Sequence, residues 1–203
     1  MYHVFLNQDI AKTSKEDDGV EINGVSDSDL KALFLECGGV SVSSGLYRVH
    51  SFKTSIHWSQ ILNRIFRNYN GEIIPFGYDW LGRQYCKLSS QNNVIAMFDP
   101  ATIEGYQLAG NIVSFHEKDL VFERDETVSE NTFYSLLKFL AIEALKNSEC
   151  IGYRVPLLLG GEDKYSNFEI TDLEVYWEMQ AQINIQIKNL PPNTKISSIK
   201  YEK

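Results

Sequence analysis

Between Leu173 and Ile187 every odd-numbered residue is apolar: Leu173, Val175, Trp177, Met179, Ala181, Ile183, Ile185 and Ile187. The even positions carry Glu174, Tyr176, Glu178, Gln180, Gln182, Asn184 and Gln186. Side chains alternate faces along a strand, so the pattern writes one buried face and one wet face and predicts an extended element over residues 172–188. This register puts Val175, Trp177, Ile183 and Ile185 inside, and Glu174, Tyr176 and Gln182 outside. Strands usually span roughly 5–6 residues, so a run this long has to bend or take a bulge. On the same logic Ile183→Asp buries an unpaired charge and is severely destabilising.

Upstream, the punctuation is clearer. Lys12 to Glu21 is polar and reads as a surface loop. Ser26-Asp27-Ser28-Asp29 opens a helix whose buried stripe is Leu30, Leu33 and Phe34, with Ser26 as a cap and Gly38-Gly39 as its stop. Leu46 to His50 reads as a short strand. Thr54 to Tyr69 reads as a helix with Ile56, Ile61, Leu62, Ile65 and Phe66 inside, closed by the Asn70-Gly71 turn. Ile73–Phe76, Gln84–Leu88 and Val94–Phe98 read as an antiparallel meander. Phe115–Phe122 reads as a short helix and Ser129–Leu145 as a longer one, with Phe133, Leu136, Leu137, Leu140 and Ala144 on one face. A last strand is expected at Lys195–Tyr201. Helices and strands segregate, which argues α+β: a mainly antiparallel twisted sheet with flanking helices, in one domain over residues 1–203.

The composition supports a packed core, with 43% hydrophobic and 12% aromatic residues. No apolar run approaches the ~20 residues that a membrane span needs, and the N-terminus lacks the pattern of a signal peptide. Cys37, Cys86 and Cys150 are too widely spaced for a metal pair or a disulfide framework, and fit a reducing cytoplasm as small core residues. The net charge of −8 disfavours nucleic acid as a partner and suits basic proteins. Most of that excess lies late: residues 101–203 hold ten basic against sixteen acidic side chains.

Sites for chemistry are thin. His116-Glu117 starts like a zinc helix, but Leu120 stands where the second histidine should be. His3, His50, His57 and His116 are scattered, so no metal site, no cofactor and no catalytic group is expected. Gly160-Gly161-Glu162-Asp163 lacks the Lys-Ser/Thr end of a phosphate loop and reads as a tight turn. The turn at Asp79, Trp80 and Arg83 admits two readings: an internal salt bridge from Arg83 to Asp79 or Asp163, or a guanidinium exposed beside aromatics to bind a carboxylate. The best partner signal lies between Gly160 and Glu178. There six acids face one base, Lys164, with Tyr165, Phe168, Tyr176 and Trp177 interleaved. Glu162, Asp163, Glu169, Glu174 and Tyr176 are the expected contacts for a basic protein surface.

Three segments together resemble a known family. They are Phe76-Gly77-Tyr78-Asp79-Trp80-Leu81-Gly82-Arg83-Gln84-Tyr85, Phe115-His116-Glu117-Lys118-Asp119-Leu120, and Cys150 through Trp177. The last includes Gly152-Tyr153-Arg154-Val155-Pro156-Leu157 and Asp172-Leu173-Glu174-Val175-Tyr176-Trp177. The chain is similar to proteins with a GAD-like N-terminal part and the C-terminal domain of type VI secretion DNase immunity proteins, themselves similar to the SUKH class of toxin-immunity proteins. Where many members have a Gly-Thr-Gly-Glu-like turn, this chain reads Pro100-Ala101-Thr102-Ile103-Glu104-Gly105. The resemblance implies a SUKH-like fold, a GAD-like part over residues 1–110 and an immunity-type part over 111–203. It also implies a non-catalytic cytoplasmic protein that binds and neutralises a cognate toxin, such as a secreted nuclease, with no nucleic-acid or membrane partner. Two other classes stay open: a small-molecule-binding protein or enzyme with a pocket near Asp79, Trp80, Arg83, Asp163 and Asn167, and a regulatory protein-binding scaffold.

Overall fold

The computed structural model describes residues 1–7, 25–91, 94–191, 194, 196 and 198–201. The loop expected at Lys12–Glu21 lies outside these residues, as does part of the strand expected at Lys195–Tyr201. The described chain runs α1 (His3–Leu6), α2 (Ser28–Cys37), β1 (Ser41–Val42), β2 (Tyr47–Val49), α3 (Phe52–Ile65), β3 (Ile73–Asp79), β4 (Gln84–Leu88), β5 (Ile95–Asp99) and β6 (Glu104–Leu108). It continues through α4 (Ile112–Ser114), a π-helical turn (Phe115–Asp119), α5 (Leu120–Phe122), α6 (Arg124–Val128), α7 (Glu130–Leu140), β7 (Glu149–Tyr153), β8 (Phe168–Asp172) and α8 (Leu173–Ile187).

β1 to β6 form one antiparallel sheet in sequence order, and β7 pairs with β8 in a separate two-stranded sheet. The α+β expectation holds. Every residue of β4 is buried, because helices cover both faces of the large sheet. On one face, Phe76 and Tyr85 pack with Phe34 of α2, Phe115 and Phe133. On the other, Tyr78, Cys86, Ala96 and Phe98 pack with Trp58 and Leu62 of α3 and with Leu173, Tyr176 and Trp177 of α8. The pairing of β3 with β4 slips between Pro75 and Gly77. Gly77 is required there, since a Cβ would fall 2.0 Å from Tyr47 Oη.

The three meander strands stand where the turn signals put them, and β6 was not foreseen. Asp27 rather than Ser26 caps α2, accepting from the amides of Asp29 and Leu30. In α3 Ile56, expected inside, faces out, and Trp58, which the stripe reading did not include, is buried. Helix α7 stops at Leu140, with Ala141 in the left-handed region, so Ala144 lies beyond it and is exposed.

The largest correction concerns residues 172–188, which are helical rather than extended. Asp172 caps α8 by accepting from the amides of Glu174 and Val175. No Gly or Pro interrupts the next fifteen residues, and Leu, Glu, Met, Gln and Ala all favour helix. The buried side chains are Leu173, Tyr176, Trp177, Gln180, Ala181 and Ile183, a 3–4 spacing rather than an alternation. Trp177 and Ile183 are inside as expected, whereas Val175 (52% exposed) and Ile185 (65%) face out. Tyr176, expected outside, is only 4% exposed. Alanine substitutions separate the two registers: Ile183→Ala should cost about 3 kcal/mol in urea denaturation. Ile185→Ala should stay within about 0.5 kcal/mol. Equal costs at the two positions would contradict the helical register.

Ile103 has φ 55, in the left-handed region. This conformation costs a β-branched residue on the order of 1–2 kcal/mol. The Ile103 side chain offsets part of the strain by packing beside the cluster that contains Phe66 and Phe98.

Candidate functional site

The Asp79–Arg83 turn joins β3 to β4 and is wholly internal. Asp79 Oδ1 accepts from the amides of Leu81 and Arg83, and Oδ2 accepts from Arg83 Nε (2.5 Å) and from Tyr85 Oη (3.0 Å). Of the two readings of Arg83, the internal salt bridge to Asp79 is the one observed. Trp80 donates its indole N–H to the Val128 carbonyl, and its backbone bridges the Leu46 carbonyl and the Ile151 amide. Trp177 Nε1 donates to the Gly82 carbonyl. The turn therefore knits the six-stranded sheet to β7 and α8. Arg48 reinforces the same seam, donating to the carbonyls of Asp79, Lys146 and Glu149 while stacking on the Tyr78 ring. Asp79 and Trp80 are buried and Asp163 is engaged elsewhere, so these residues do not converge on a pocket.

The acidic residues expected to meet a partner occupy two places. Glu162, Asp163 and Glu169 surround the connection between β7 and β8. That connection is tied to itself. Asn167 Nδ2 donates to the carbonyls of Val155 and Glu162, and its Oδ1 accepts from the Val155 amide. Gly161 donates to the Pro156 carbonyl, and a Cβ on it would collide with the Val155 carbonyl, so the Gly-Gly turn is tight as read from the sequence. Tyr153 Oη donates to Asp163, Arg154 pairs with Glu169 at 3.3 Å, and Lys164 pairs with Glu162 at 2.9 Å. These last two pairs are largely exposed, so solvent screens them and leaves the acids accessible.

Glu174 lies apart from that group, on α8. It meets His57 of α3 at 2.8 Å, and Glu178 one turn later meets Arg64. Tyr176 turns away from solvent. Its hydroxyl accepts from the Tyr153 amide, and its ring packs on Gly152. The wet-face assignment of Tyr176 is thus overturned by the helical period. The exposed aromatics beside the acidic loop are Tyr165 (42% exposed) and Phe139 of α7 (55%), whose rings meet edge-on at 5.9 Å. Tyr165 was visible in the sequence among the interleaved aromatics. Phe139 carried a weaker signal: it falls off the buried stripe of α7.

Elsewhere the titratable groups are structural. His116 donates from Nδ1 to the Ile112 carbonyl, and its Nε2 accepts from Tyr47 Oη. His50 bonds Gln84 and stacks on Tyr78. Burial lowers both imidazoles to about 4. All three cysteines are free and buried, and burial pushes the Cys86 and Cys150 thiols upward. Among the described residues no three His, Cys, Asp or Glu side chains gather as a metal site, and no helix is long and apolar enough to cross a membrane.

The acidic loop, β7, β8 and α8 also form the part of the chain with a family match. Residues 114–184 match the C-terminal domain of the T6SS immunity protein Tdi1. The expected type VI immunity resemblance is met over this segment, which begins at the π-helical turn and ends within α8. Both acidic groups lie within the matched residues, and the six-stranded sheet lies outside them. Among curated proteins no match is found. Among solved structures, Atu4351 from Agrobacterium tumefaciens is similar, with a TM-score of 0.52 at 12% identity over 70% of this chain and 69% of that one. That likeness speaks for the α+β fold.

Proposed function

We propose that this chain is a non-catalytic immunity protein that binds a cognate toxin in the cytoplasm and neutralises it by occlusion, the toxin class implied by the resemblance being a secreted nuclease. The observation that carries the reading is the immunity-domain match over residues 114–184. The geometry supplies a means. A self-clamped loop presents Glu162, Asp163 and Glu169 beside the exposed pair Tyr165 and Phe139. Acids steer a basic surface into contact, and aromatic anchors hold it. Glu174 is presented separately, from α8 beside His57 of α3. Residues 1–110, the GAD-like part of the resemblance, would then form the platform, and residues 111–203 the recognition part.

The test is a rate measurement against the cognate toxin. Glu162→Lys, Asp163→Lys and Glu169→Lys together should slow association about tenfold at low salt and flatten its salt dependence, with thermal stability nearly unchanged. Tyr165→Ala and Phe139→Ala should instead act on dissociation, about tenfold or more for an anchor. Unaltered rates in both sets would move the interface off this loop.

A further inference from the structure

We infer that the groove between the C-terminal end of α3 and the last turns of α8 is a second docking site, and that its occupant is an acidic polypeptide segment carrying one or two apolar side chains. The groove encloses about 950 Å³. Arg64, Arg67 and Lys188 stand along it, and Ile65, Ile103 and Ile185 supply its apolar surface. Glu178 is the one acid in its lining and is held by Arg64. Among the described residues no carboxylate pairs with Arg67 or Lys188. On a chain of net charge −8 this is a local reversal of sign, so the groove attracts what the rest of the surface repels.

The apolar part is also ready for use. Ile185 leaves most of its side chain in water, against the burial that its type favours. Ile103 is held at φ 55 with its side chain at the same groove, a strained residue placed where a contact surface needs it. The walls come from helices packed on the large sheet and on each other through Trp58 of α3 and Trp177 of α8, so the groove is preformed. Nucleic acid fits less well. No aromatic ring lines the groove to stack a base, and an isoleucine surface offers nothing to phosphate. The inference does not rest on the acidic loop: a basic surface suited to that loop is repelled here.

The test uses the full chain, isotope-labelled for NMR, and three probes: a short acetylated peptide of paired glutamates and leucines, the same peptide with lysine for glutamate, and a short oligothymidylate. The glutamate peptide should shift the resonances of Asn68, Ile103, Gln182 and Ile185, and its affinity should fall with salt. Arg67→Glu with Lys188→Glu should weaken it at least about tenfold, with an unchanged melting temperature. Ile185→Asp, at an exposed position, should do the same. Shifts confined to other surfaces, affinity in the charge-reversed protein within about twofold of the parent, equal binding of the lysine peptide, or oligothymidylate binding at these residues would each overturn the proposal.

Discussion

Asp79→Ala should lower the stability of the fold by about 3–5 kcal/mol, because it strips a buried guanidinium of its carboxylate. Asp79 is fully buried, and Arg83 keeps only 14% of its side chain exposed. The substitution also leaves the amides of Leu81 and Arg83 and the hydroxyl of Tyr85 without their acceptor. Domains of this kind are stable by only ~5–15 kcal/mol, so much of the margin is lost at one site. Arg83→Met alone should be nearly as damaging, since it leaves the carboxylate unpaired. The pair Asp79→Asn with Arg83→Met should recover part of the loss, because a buried ion pair is far costlier to break than to replace. Urea denaturation of the parent, Asp79→Asn, Arg83→Met and the double variant gives the coupling directly. A cost below about 1 kcal/mol for Asp79→Ala would mean that the turn is not what joins the sheet to β7 and α8.

Acid should destabilise this protein well above the range in which carboxylates titrate. His50 and His116 have folded-state values of about 4, caused by burial and, at His50, further by Arg48. In the unfolded chain each returns to about 6.5. Between these values the unfolded state binds a proton that the native state refuses, so unfolding takes up protons and stability falls as pH is lowered. Their contribution is complete above about pH 6.5 and is lost as pH drops through 4, at about 3 kcal/mol for each histidine. Glu36, held low by the N-terminal ammonium, and Glu149, held low by Lys146, respond further down, whereas burial raises the Asp99 and Asp119 carboxyls, which release protons on unfolding and offset part of the uptake in the lower part of the window, so the imidazoles dominate its upper part. Denaturation midpoints at about pH 6 should show net proton uptake on unfolding, and His116→Gln should remove about half of it. A flat profile between pH 7 and 5 would show that these rings are not held neutral by the fold.

Legibility in the sequence followed the strength of local signals. The β3–β5 meander was readable because Asn70-Gly71 and Trp80-Leu81-Gly82 punctuate it and each run has strand length. Edge strand β6, Glu104–Leu108, was not: a weakly apolar run with no buried residue resembles a loop. Helix α8 was misread because its helical stripe passes through Tyr176 and Gln180, polar types that hid the 3.6 period. Ala181 and Ile183 fit both templates. Only the cap at Asp172 and the fifteen-residue length decided the matter. The same error carried Tyr176 to the wrong side and left Tyr165 and Phe139 undervalued. The Asp79–Arg83 motif was conspicuous in the sequence because the scaffold needs it, and it lies at the junction rather than on a surface that a partner could touch.

The connection between β7 and β8 has a property of evolutionary interest. Its backbone hydrogen bonds close within residues 154–167: the Arg154 amide donates to the Asn167 carbonyl, and the Asn167 side chain spans Val155 and Glu162. Such a segment behaves as a cassette. Its charges and aromatic rings can be rewritten together by exchange of one short stretch of coding sequence, while the Asp79 turn and the two hydrophobic clusters go on folding the host. A lineage exposed to changing adversaries can thus revise what it recognises without re-solving how it folds.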